Sequence, residues 1–150
     1  MNLCQLLARS LGLESEEVML LRHGTGRLKA LRESGATVQE FTAIQVVNSK
    51  YDFLRDGAVP IRAVAVIADD QLEAVYRVGA VEREGTTWSV ASPAYQKFDR
   101  GQGFTEKPAK RFSLVSVPLP EVGRPVHGWT SPRVAVARYG GRLCESIEVG

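Results

Sequence analysis

Residues 61–84, IRAVAVIADDQLEAVYRVGAVERE, decide the fold class. After Arg62 come six small or β-branched apolar residues, Ala63 to Ala68, a run that fits a strand buried on both faces. Asp69-Asp70 then interrupts it, and a second strand-like run carries on to Glu84. The stretch predicts a β-hairpin closed by the two acidic residues. Moving toward the C-terminus, further strands are expected at TTWSV (86–90), RFSLVSV (111–117), RVAVARY (133–139) and LCESIEV (143–149), each bounded by Gly, Pro or Ser. Short strands at such spacing predict a strongly curved, mostly antiparallel sheet or a small β-barrel, because an open sheet leaves unpaired edges. Pro118, Pro120 and Pro125 mark residues 118–125 as an extended connection.

Moving toward the N-terminus, the periodicity changes. Leu3, Leu6, Leu7 and Leu11 recur at helical spacing behind Asn2, a good N-cap. VMLLR (18–22) is an apolar run ending in charge, as in a buried strand. GRLKALRESG (26–35) sets Leu28 and Leu31 on one helical face and stops at Gly35, and Thr37 with Glu40 makes a capping box ahead of Phe41 and Ile44. The expected class is therefore α+β, with two or three N-terminal helices and one domain over residues 1–150.

Composition agrees with a globular chain: 150 residues, 44% hydrophobic and 24% charged, with no low-complexity tract or internal repeat. No apolar run approaches the roughly 20 residues that cross a bilayer, and MNLCQLLARSLGL lacks a basic start before its apolar stretch. A cytoplasmic location without membrane contact is expected. Cys4 and Cys144 lie at opposite ends of the chain without metal-ligand spacing. A disulfide between them would need an oxidising compartment, so both are read as buried thiols in a reducing one. Zinc, EF-hand, P-loop and GxSxG signatures are lacking, so no metal, cofactor or catalytic residue is expected.

The net charge of +2 is modest but uneven. KFDRGQGFTEKPAKR (97–111) carries Lys97, Arg100, Lys107, Lys110 and Arg111 against Asp99 and Glu106 only. Its Gly and Pro residues predict a loop, and its cations, with Arg22, are candidates for phosphate contact. Phe53, Phe98 and Phe112 are expected in the core. Tyr51, Trp88, Tyr95 and Trp129 lie beside polar groups and are candidate walls for a pocket that stacks a planar base, with Asp52, Gln96 and Asp99 supplying hydrogen bonds to its edge.

Two resemblances bear on function. LLRHGTG (20–26) resembles the strand-then-RHG signature of histidine phosphatases, in which histidine attacks phosphorus and arginine holds the phosphoryl oxygens, and PVHGW (125–129) offers a second His-Gly. The chain departs from that family at residues 61–90, which read as a hairpin, and at SPAYQKF, which lacks the family's Ser-Pro-x-x-Arg. In this reading His23 otherwise simply ends a strand. More of the chain is involved in the second likeness. LLRH (20–23), QEFTAIQ, KYDF, AVYRVGAVE, SPAYQKFD and GRPVHGW, spread over residues 18–149, resemble the N-terminal domains of bacterial proteins that carry GIY-YIG or HNH nuclease modules. That resemblance implies a PUA-like or SRA-like barrel that recognises a modified, flipped base in double-stranded DNA and directs an attached or partner nuclease in a restriction or defence system. The nuclease signature is absent from these residues, so the chain itself is expected to be non-enzymatic. A protein-interaction or regulatory module with the same fold is the alternative, with a phosphoryl-transfer enzyme as a minor one.

Overall fold

The structure is a computed structural model and describes residues 1–46, 61–130, 134–136 and 141–150. Helix α1, Leu3–Leu11, begins at Asn2, whose side chain accepts from Gln5 N while the Gln5 side chain accepts from Asn2 N, a reciprocal cap. It stops at Gly12, whose φ of 70° is left-handed and suits a residue without Cβ. A 3-10 turn at Ser15–Glu17 leads into β1, Val18–His23. Next come α2, Arg27–Glu33, α3, Val38–Ala43, and β2, Ile44–Val46. The expected hairpin is present as β3, Ala63–Ala68, and β4, Gln71–Thr86. Asp69 and Asp70 have φ of 50° and 59°, the paired left-handed geometry of a tight two-residue turn that aspartate tolerates better than most residues.

After β4 the structure departs from the sequence reading. TTWSV is a single helical turn, α4, Thr87–Val90, and SPAYQKFDRG forms α5, Pro93–Gly101. Ser92 caps α5 by accepting from Tyr95 N, and Pro93 fills the first turn, where its missing N–H has no partner to lose. The proline read as a loop marker is thus a helix starter. RFSLVSV lies in β5, Pro108–Ser116, as expected. Residues 118–125 are not extended: Val122 N donates to Leu119 O and Arg124 N to Glu121 O, closing a turn. Short strands β6, Val126–His127, and β7, Val134–Val136, follow. LCESIEV splits into helix α6, Gly141–Ser146, and strand β8, Glu148–Val149.

The chain divides into two compact units. The first comprises residues 1–25, 53–78 and 115–150. Its main sheet runs β4-β3-β1-β7. β1 is parallel to β3, while β3–β4 and β1–β7 are antiparallel. All six residues of β3 are buried, because it is a central strand with neighbours on both sides. Leu3, Leu7 and Leu11 of α1 pack with Leu20, Ile67, Leu72, Val75, Trp129 and Ile147 in one core. The second unit comprises residues 26–52 and 79–114, where β2 pairs antiparallel with β5. Its buried side chains include Leu28, Leu31, Ile44, Val90, Tyr95, Phe98 and Phe112.

The class is α+β. Closure into a barrel is not found: the strand order of each unit has distinct first and last members among the described residues. Parallel pairing of β1 with β3 supplies the physical reason, since the chain between them returns through helices instead of continuing a meander. No helix among the described residues is long and apolar enough to cross a membrane.

Candidate nucleic-acid interface

In the second unit, α5 and the residues after it gather most of the residues that sequence reading selected. Helical spacing sets Tyr95, Phe98 and Asp99 on the buried face of α5 and leaves Lys97 and Arg100 exposed. Tyr95 meets Phe41 and Phe98 with ring centroids 5.8 and 6.4 Å apart, and Phe41 lies 6.1 Å from Phe98. Only 3% of Tyr95 is exposed. It is a core ring and not an open pocket wall, because it points with the apolar face of its helix. Burial, followed by the neighbouring Asp99, pushes its hydroxyl above the usual tyrosine range.

Asp99 is 5% exposed. Burial raises its carboxyl above the ordinary aspartate value, while Arg27 and Lys107 pull it back down. Its backbone carbonyl accepts from Phe104 N at 3.1 Å, which anchors the segment beyond α5. Phe104 is 38% exposed, large for a phenylalanine, and two cations address its ring: Arg27 Cζ at 5.3 Å and Lys107 Nζ at 5.7 Å from the centroid. The same Arg27 guanidinium lies 5.3 Å from the Phe41 ring. Arg100 Cζ sits 4.6 Å from the centre of Trp88, which is half-buried. Gln96 does not present its amide outward; its Nε2 donates to the carbonyls of Trp88 and Ala91. It fixes the α4–α5 corner on which Trp88 is mounted.

Two more members of the basic segment are committed elsewhere. Lys110 pairs with Glu84 at 3.1 Å. Arg111 pairs with Glu82 at 3.5 Å and donates to Val90 O. Glu106 accepts from Thr86 Oγ1, so the cations that face solvent here are Lys97, Arg100 and Lys107. Glu40, read as half of a capping box, does only part of that work. Its N–H donates to Thr37 Oγ1, but its carboxylate accepts from Ser92 N at 2.8 Å and Ser92 Oγ at 2.7 Å. It holds the start of α5 to α3.

Other selected residues fall outside this cluster. Trp129 belongs to the first unit and is a core ring at 8% exposure, packed in the cluster around Leu3 and Ile147. Arg22, also in the first unit, donates to Trp129 O at 3.3 Å and pairs with Asp70 at 3.4 Å. His23 ends β1 and is buried. Tyr51, Asp52 and Phe53 lie outside the described residues. Sequence reading missed Arg27 and Phe104. GFTEK did carry a signal, since a lone phenylalanine among glycines and charges has no apolar neighbours to pack with and points to an exposed ring.

No family model, curated protein or solved structure matches the chain.

Proposed function

We propose that this chain is a non-enzymatic nucleic-acid-recognition domain of the cytoplasm, a sensor of modified DNA that works with an attached or partner nuclease. The observation that carries the reading is the layering in the second unit of exposed Phe104 with Arg27 and Lys107, beside Trp88 with Arg100. Bases stack on aromatic faces and on arginine planes whatever their sequence, and adjacent cations meet the phosphates. A base turned out of a duplex offers such a face, and a damaged or modified base leaves the stack at the lowest cost. The likeness of SPAYQKFD and its companion motifs to nuclease-associated domains supports modified DNA as the substrate class. Stacking is assigned to Phe104 and Trp88, with Lys97, Arg100 and Lys107 on phosphate.

The test is fluorescence anisotropy with matched duplexes that carry or lack modified cytosine or adenine, with single strands and RNA as competitors. Tighter binding to a modified duplex is expected. Equal binding to all duplexes would leave nucleic-acid recognition without modification sensing. An absence of binding to every probe would overturn the reading and favour a protein partner for the Phe104 surface.

A further inference from the structure

We infer that Cys4 and Cys144 form an oxidisable dithiol, a modification site at which peroxide converts two buried thiols into a disulfide joining α1 to α6. The sulfurs stand 3.3 Å apart although 140 residues separate them in sequence. Both cysteines are reduced and buried in the first unit. A disulfide holds its sulfurs at about 2.05 Å, so the bond needs little more than side-chain rotation. Backbone contacts keep the two carriers in register. Leu3 N donates to Ile147 O at 2.8 Å. Ser146 Oγ donates to Leu143 O and Gly128 O, and Gly128 has no room for a Cβ against the Ser146 carbonyl.

The chemistry balances with peroxide as the named oxidant. The Cys144 thiolate attacks one peroxide oxygen and the O–O bond breaks. The sulfur loses two electrons to become a sulfenic acid, and the departing hydroxide takes a proton to leave as water. The Cys4 sulfur then attacks Cys144 Sγ, the S–O bond breaks, and the Cys4 proton leaves with the hydroxide as a second water. The order follows from the hydrogen bond: an S–H from Cys4 to Cys144 favours the thiolate on Cys144, lowering it, and holds Cys4 up. A metal site is the poorer reading. Structural zinc takes four ligands, and no group of three or more His, Cys, Asp or Glu side chains gathers among the described residues. Access for peroxide comes from local opening of α6, a helix of six residues.

Closing so long a loop restricts the unfolded chain, and the oxidised protein should melt roughly 5–10 °C higher. The intact chain is treated with hydrogen peroxide, digested without reduction and analysed by mass spectrometry, alongside thermal melts. The expected result is a peptide pair linked through Cys4 and Cys144, loss of both thiols in step, and a melting temperature that rises and returns on reduction. Cys4→Ser and Cys144→Ser each abolish the link and the rise. Sulfinic acid on one cysteine without a cross-link, or two thiols that persist in excess peroxide while the unfolded chain reacts, would overturn the proposal. The wild-type measurement decides the matter even if a variant fails to fold.

Discussion

Phe104 is the residue on which the binding account turns, because it is an exposed ring flanked by cations and touches little of the core. Phe104→Ala should weaken binding to single-stranded or modified DNA by about 1–3 kcal/mol, the usual worth of a base–aromatic stack. Its melting temperature should stay within about 2 °C of wild type, since surface changes cost within ±0.5 kcal/mol. Anisotropy titrations and thermal melts on the same samples separate the two effects. Asp99 makes a different, pH-dependent prediction. Burial raises its carboxyl in the folded state, so the folded protein retains a proton that the unfolded chain has already lost. That contribution to stability is complete below the ordinary aspartate value of 3.8 and drains away as pH rises through the higher folded value. Asp99→Asn cannot titrate. Its melting temperature should therefore gain on wild type as pH is raised from 3.8 toward neutrality, and parallel melting curves would remove Asp99 from the account.

At the scale of elements, the Glu40 carboxylate bridging to Ser92 joins the ends of two helices through one backbone N–H and one hydroxyl. Glu40→Ala should cost about 1.5–3 kcal/mol, the range for hydrogen bonds to a charged group, measured by urea unfolding. Helix α1 rests on its cap and its leucines. Leu7→Ala should cost about 2–5 kcal/mol, because Leu7 is completely buried in the core of the first unit. These same elements tell how far the sequence could be read. The leucine spacing of α1, the Asn2 cap and the β3–β4 hairpin with its Asp69-Asp70 turn were legible, since each is set by local periodicity or by turn chemistry. TTWSV and LCESIEV were misread as strands because β-branched and aromatic content outweighed start signals a few residues long. In SPAYQKFDRG, Ser-Pro is both a loop marker and a helix start, and only the placement of Glu40 beside Ser92 decides between them. The site was legible as charge but not as geometry. Lys97, Arg100 and Lys107 were found, whereas the stacking of Arg27 on Phe104 joins residues 77 positions apart, beyond the reach of any local pattern.

For the whole molecule, a net charge of +2 is too small for binding through overall attraction. Affinity must come from where the cations sit, and Lys110 and Arg111 are already paired with Glu84 and Glu82. The account thus assigns phosphate contact to Lys97, Arg100 and Lys107, each of which should release about one counterion on binding. The decisive measurement is the salt dependence of affinity for the wild-type chain and for the triple variant Lys97→Gln, Arg100→Gln, Lys107→Gln, on one DNA probe across a series of salt concentrations. Removing the three contacts should flatten the slope of log K against log salt by roughly 2–3 units, with the melting temperature unchanged. An identical slope for the two proteins would mean that the nucleic acid does not lie on this face, and would contradict the account.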